Sequence, residues 1–426
     1  MANSCFDRMK KYCLLLAVLL GGTANVFSQK KGFDYNFYGQ VRTDLFYNSR
    51  SNSETVDGLF YMYPLDKNLD PNGEDLNGNS NSDFYTLYTR LGVDINGPKL
   101  GKARTSAKVE VDFRGSGTTY SLFRVRHAYF NLAWKKSALL VGQTWHPLYG
   151  DVSPEILNLN MGAPYQPFSR APQIRYRYSD RHFQLTAAAV WQSQYLSVGP
   201  KSNKAGETGT QKSQEFIKKS CMPEWYVGMD YKHTGLIAGA GVHVSSITPR
   251  VNSEVTDDNV TTTYKVDERI TGVSAEAHVK YVRHNWLVAA KSVLGTNLTQ
   301  TSTVGGYGIT HIDPVTGEQA YTPLRTSATW VNVAYGKKWR PALFFGYLKS
   351  LGASKEVIDV LGTGTGLGQL FTGTAELTYN VPHWKFGAEY SLCNAWYGDE
   401  FDAKAKATES HTVMNHRLVL TALFQF

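Results

Sequence analysis

The sequence predicts an all-β protein: a transmembrane, antiparallel up-and-down β-barrel of about sixteen strands. Three observations lead there. Apolar and polar residues alternate with period two along most of the chain. Short turns and long polar loops connect the alternating segments in turn. Aromatic residues flank the short turns, and the chain ends in Phe426.

Composition removes the competing classes. Mean hydropathy is −0.33, which excludes a bundle of apolar membrane helices. Charged residues make up 19%, below the roughly 25% usual in soluble domains. Aromatics reach 13%, with 26 Tyr and 9 Trp, which excludes disorder for the bulk of the chain. Four Cys in 426 residues are too few for a disulfide scaffold. A large Gly-rich β protein remains.

The N-terminus sets the compartment. Lys10 and Lys11 precede the apolar run Leu14-Leu15-Leu16-Ala17-Val18-Leu19-Leu20, and small residues lead to Ser28 before Gln29. That order reads as a secretory signal peptide over 1–28, with the barrel as a single domain over 29–426. Cleavage lowers the formal charge from +8 to +6 and leaves two cysteines, Cys221 and Cys393, for which one disulfide is chemically available. No apolar stretch long enough for a spanning helix follows.

The strands come next. In 35–47, Tyr35, Phe37, Val41, Leu45 and Tyr47 share one parity, while Asn36, Tyr38, Gln40, Arg42 and Asp44 share the other. In 102–114, Ala103, Ala107, Val109, Val111 and Phe113 alternate with Lys108, Glu110, Asp112 and Arg114. The same pattern recurs in 182–192 and 373–381. A strand sends successive side chains to opposite faces, so each segment has one greasy and one polar side. Short turns fall at 96–98, 135–137, 179–181, 233–235, 283–285, 336–338 and 381–383. Long loops fall at 48–83, 146–172, 193–222, 250–269, 295–325, 349–372 and 397–412. Trp134, Tyr178, Trp286, Trp339 and Trp384 flank the short turns as a membrane-interface girdle would. The final strand, ending in Phe426, fits the terminal signal of the barrel-assembly machinery of Gram-negative outer membranes, whose lipid and lipopolysaccharide the greasy face would meet. A propeller should repeat every 40–50 residues, and no such repeat is present. An open sheet would leave unpaired backbone groups in hydrocarbon, so the barrel must close.

Two segments, Arg124-Val125-Arg126-His127-Ala128-Tyr129-Phe130-Asn131-Leu132 and Leu139-Leu140-Val141-Gly142-Gln143-Thr144-Trp145, resemble paired segments of the DcaP-type trimeric porins. The likeness is sharpest over about residues 84–178 and fades to barrel pattern towards the C-terminus. It implies a 16-stranded homotrimeric channel for small anionic solutes, dicarboxylates among them. No coiled-coil heptads lie between Gln29 and Asp34, so the extension found in relatives is lacking there.

The polar parity supplies the candidate channel lining: Arg42, Arg90, Lys108, Arg114, Arg124, Arg126, Arg175, Arg177 and Lys232, interspersed with Asp44, Asp94, Glu110, Asp112 and Asp230. Fixed positive charge on a low-dielectric wall concentrates anions, and Arg matches carboxylate geometry bidentately. The competing reading pairs these cations with neighbouring acids as structural ladders of little selectivity. Parity also breaks in 122–134. Placing Arg124 and Arg126 inside puts Phe130 and Leu132 there too, which a bulge or a subunit interface would explain. The loop 146–172 is the least polar of the long loops, and after the fifth strand it should fold into the lumen, with Asp151, Glu155 and Arg170 at the constriction. Its alternative is packing on the rim or between subunits.

Other chemistry fits less well. His127, His243 and His416 lack a Ser partner at strand spacing for a lipid hydrolase, so no catalytic residues are expected. Residues 70–75 loosely suggest a calcium loop, but Asp75 stands where Gly is required. Residues 362–368 read as a mobile Gly loop and no Cys/His set suggests zinc, so neither metal nor cofactor is expected. The basic pI of about 9.0 is better explained by channel lining than by nucleic acid. A second class is a barrel serving mainly as an adhesin or receptor, with a plugged lumen.

Overall fold

The computed structural model describes residues 32–55, 58–113, 122–191, 194–207 and 209–426. The signal peptide read over 1–28, and Arg114, lie outside the described residues. Sixteen strands follow one another round an antiparallel ring. They are β1 (Asp34–Asn48), β2 (in two pieces, Asn81–Tyr85 and Arg90–Leu100), β3 (Ala103–Phe113), β4 (Phe123–Ala133), β5 (Ser137–Trp145) and β6 (Arg170–Asp180). Then come β7 (Phe183–Val190), β8 (Glu224–His233), β9 (Leu236–Ile247), β10 (Ile270–Arg283) and β11 (Trp286–Thr296). The ring continues through β12 (Gln319–Tyr335), β13 (Trp339–Ala353), β14 (Leu367–Val381), β15 (Trp384–Phe401) and β16 (Ala407–Gln425).

β16 pairs back onto β1, from Gln40↔Gln425 to Asn48↔Arg417, so the sheet closes. Gly39 and Phe426 extend the seam by exchanging backbone hydrogen bonds of 2.9 and 3.1 Å. A Cβ on Gly39 would lie 2.5 Å from the Phe426 ring, so a larger residue there would displace the C-terminal ring.

The alternating parity becomes the two faces of the wall. On β1, Tyr35, Phe37, Val41, Leu45 and Tyr47 are exposed outward, whereas Asp44 and Phe46 are buried inside. At the short-turn end, rings pair across neighbouring strands: Trp286 with Tyr335, Trp339 with Tyr379 and Trp384 with Phe424, each at 4.7 Å between centroids. This is an interfacial girdle. Leu343 on β13 lies in the belt above it, 47% exposed. Leu343→Arg should therefore destabilise the barrel by about 2–4 kcal/mol, as charges do at mid-belt. The midpoint of heat-induced unfolding on gels should fall for this variant and hold for Leu343→Phe.

The broken parity of the fourth strand is a β-bulge. Glu110 pairs with His127 and Val111 with Val125, so Arg126 is an extra residue. Arg126 and His127 are both buried, and Phe130 then returns to the outer face, 49% exposed.

Two expectations about loops need correction. Residues 397–412 are largely a strand hairpin, since β15 runs to Phe401 and pairs with β16 at Glu400↔Glu409. The Gly run at 362–368 is a tight turn between Asp359–Thr363 and β14, with Gly364 at φ +63°. Beyond the lipid belt both faces of a strand meet water, so the apolar alternation fades while backbone pairing continues. Cys221 is exposed and Cys393 buried, and both are free thiols, so the available disulfide is not made.

The lumen holds the main core. Phe60, Tyr61, Met62 and Tyr63 of the first long loop and Tyr149, Val152, Leu159, Tyr165 and Phe168 of the loop after β5 pack together. Inward residues Trp330, Phe344, Leu348, Leu370, Val413 and Val419 receive them.

Candidate functional site: the charged rim of an inward loop

The loop 146–169 leaves β5 and crosses the lumen, tied to the wall at successive steps. Lys291 on β11, fully buried, donates to the carbonyls of Leu148 (3.0 Å) and Tyr149 (2.7 Å). Asn332 accepts from the Glu155 backbone at 2.9 Å. Across the barrel, the Leu157 N–H points between the cross-strand carboxyls Glu376 (2.7 Å) and Glu389 (2.8 Å), while Arg42 donates to the Leu157 carbonyl at 2.6 Å. Asn160 reaches the Tyr61 carbonyl at 2.8 Å, joining the two loops inside the barrel.

Two acids on this loop each bracket a pair of wall cations. Asp151 meets Arg177 of β6 at 3.2 Å and Lys232 of β8 at 2.9 Å. Glu155 meets Lys280 of β10 at 2.9 Å and Arg340 of β13 at 2.7 Å. Burial alone would raise both carboxyls; Arg177 and Lys232 outweigh it for Asp151, and Lys280 and Arg340 for Glu155, holding both below the ordinary carboxylate range. Both acids therefore stay ionised at neutral pH. Lys108 and Asp94 pair at 3.0 Å on the adjoining wall.

Exposure separates this rim from the other predicted cations. Asp151 is 35% exposed and Glu155 39%, with their cations between 18% and 33%, so these groups meet water. Arg126 is only 2% exposed and is spent on Glu110 and Asp112, and Arg124 binds the same Asp112, itself fully buried. Arg175 is buried and donates to Gln173 at 2.8 Å. Arg90 lies 4.3 Å from the centre of the Tyr88 ring. Arg170, expected beside the two loop acids, is instead buried over Trp145, 3.5 Å from the ring centre. It is the first residue of β6 and packs in the wall because the neighbouring Trp145 and Phe168 enclose it.

Sequence reading missed Lys280, Arg340, the Glu376/Glu389 pair and Tyr88. All but Tyr88 lie on the inward parity of later strands, where alternation is the signal that marks them. Tyr88 sits in the break between the two pieces of β2, with Arg42, Arg90 and Arg126 around its ring.

One buried cluster gathers metal-type ligands: His146, Glu224 and His243, with ligand atoms within 4.8 Å of one another. The Leu148 N–H donates to His146 Nδ1 at 3.2 Å, which leaves Nε2 to carry the ring proton and donate to Glu224 at 3.1 Å. His243 Nε2 meets the same oxygen at 2.8 Å, and Gln300 donates to the other at 3.2 Å. Glu224 is thereby a hydrogen-bonded anchor for the root of the loop. In 70–75, Asp70 accepts from the backbone of Asn72 and Glu74, and Asp75 pairs with Arg50, so these acids close the turn itself.

A closed ring of sixteen antiparallel strands, greasy outside and charged around an inward loop, is an outer-membrane barrel of the porin type. Comparison with solved structures agrees. The outer membrane channel DcaP of Acinetobacter baumannii matches with a TM-score of 0.65 at 18% identity, covering 94% of this chain and 99% of that one. A trimer form of OmpT, an outer membrane protein of Vibrio cholerae, matches at 0.54 and 13% identity, over 93% and 100%. An anion-selective porin from Comamonas acidovorans matches at 0.50 and 10%, over 92% and 100%. No family model matches the chain, and no curated protein matches it in sequence. The DcaP-type resemblance read on residues 84–178 thus extends, as fold, over nearly the whole barrel.

Proposed function

We propose that this chain is a passive outer-membrane porin, exported by cleavage of 1–28 and assembled as a homotrimer. Its solutes are small and preferentially anionic, of dicarboxylate type. One observation carries the selectivity: each water-exposed acid of the inward loop faces two wall cations, so the rim keeps surplus positive charge. Asp230, 4.0 Å from Lys232 and 3.0 Å from His278, offsets part of the charge beside Asp151, so the surplus rests most on Lys280 and Arg340 around Glu155. Positive charge on a narrow low-dielectric wall raises the local anion concentration. The anion-selective Comamonas porin and the trimer form of the Vibrio protein lend support by shared fold. Phe426, on the closing seam, suits recognition by the assembly machinery.

Liposome swelling tests the solute class. A short dicarboxylate should enter faster than a neutral polyol of equal length, and a diamine slowest. Equal rates for all three would remove the anion preference. A plugged surface receptor is the second reading, favoured by the aromatic packing of both loops inside the barrel. It predicts no swelling with any solute.

A further inference from the structure

Two cations, Arg325 and Lys349, stand on the outer wall, away from the acids of the lumen. Arg325 of β12 and Lys349 of β13 are exposed on the lipid-facing parity. Along β12 that parity runs outward from Tyr335 through Val333, Val331, Thr329 and Ser327 to Arg325. Along β13 it runs from Trp339 through Leu343, Phe345 and Tyr347 to Lys349. Each cation stands ten residues from a girdle ring, Tyr335 or Trp339. At about 3.4 Å per residue and a tilt near 40°, that lifts both by roughly 26 Å, the full height of an apolar belt. They therefore sit where the outer leaflet's headgroups begin.

The two stand on one face of neighbouring strands. Ser327 pairs with Lys349, and Arg325 follows two residues on, past a bulge that sets it opposite Gly352. Gln369 of β14 lies directly across from Lys349 and accepts from the Tyr347 hydroxyl. Arg325 donates to the Ala353 carbonyl at 3.4 Å, and among the described residues no ion pair takes up either cation. Below them lies an apolar face of Leu294, Val331, Phe345 and Tyr347, all exposed.

We propose that Arg325 and Lys349, with Ser327 and Gln369, bind the phosphate of an acylated outer-leaflet glycolipid, whose acyl chain lies along Leu294, Val331 and Phe345. A guanidinium fork and an ammonium beside two neutral polar groups suit a phosphate monoester. Unpaired cations at a membrane boundary are neutralised by anionic headgroups. This site faces lipid and does not depend on what the lumen conducts.

The test uses purified wild-type protein and the double variant Arg325→Gln, Lys349→Gln. Lipid retained through purification is measured by native mass spectrometry. Wild type should carry a phosphorylated glycolipid, and the variant at least tenfold less, with its heat-modified gel shift intact. Equal retention overturns the proposal. In a second arm, wild type alone is placed in nanodiscs containing lipid A or its dephosphorylated form. The phosphorylated form should raise the unfolding temperature, and the same rise from inorganic phosphate, or none from either lipid, would overturn the proposal.

Discussion

Arg126→Ala should weaken the barrel by about 3–5 kcal/mol and leave its ion preference nearly unchanged. The guanidinium is 2% exposed and contacts Glu110 at 2.5 Å and Asp112 at 2.8 Å. Removing it takes a cation from two buried carboxylates; Asp112 keeps Arg124, while Glu110 keeps the neutral Tyr38 hydroxyl at 3.0 Å. An uncompensated buried charge is expensive because the wall cannot solvate it as water does. The bulge amplifies this, since Arg126 is the residue without a cross-strand partner and is held there through its side chain. Thermal unfolding of refolded protein checks the loss. Adding Glu110→Gln and Asp112→Asn to Arg126→Ala should recover much of it, because neutral amides need no counter-ion. A stable single variant with altered selectivity would instead make Arg126 a channel residue.

The second large effect is opposite in kind. Asp151→Asn with Glu155→Gln should leave the fold in place and raise anion over cation permeability several-fold. Arg177, Lys280 and Arg340 would lose their acids, and Lys232 would keep only the more distant Asp230 at 4.0 Å. One unit charge at about 4 Å in water is worth roughly 1 kcal/mol, or about fivefold in occupancy. Screening trims this as salt rises, so the effect should shrink between 0.1 and 1 M KCl. Arg177→Ala with Lys232→Ala should move selectivity the other way, because Asp151 then stands alone. Reversal potentials of these two double variants, measured in the same gradient, should fall on either side of wild type.

Alternation made the fold legible. Period two in 35–47 names the outward and inward residues of β1 one by one, because a strand's geometry is local. The same rule failed in β4, where the bulge at Arg126 is set by pairing with β3 and so by residues distant in sequence. Partnership is non-local too. The sequence shows Arg124 and Arg126 as inward cations, but only the β3–β4 register shows that Asp112 and Glu110 occupy them. Buried ion-pair ladders and water-exposed cations are thus both present, on different strands. The apolar character of 146–172 foretold its burial, whereas Arg170 misled because a charge can be buried beneath aromatic rings. Lys280 and Arg340 lie on the inward parity of β10 and β13, so alternation marks them as plainly as it marks Arg177.

Current through the reconstituted channel in a tenfold KCl gradient bears most directly on the surplus positive charge at the rim. A water-filled passage beside Asp151 and Glu155 predicts a steady conductance whose reversal potential lies towards that of chloride. A reversal potential on the potassium side, or no conductance from correctly folded protein, would contradict it.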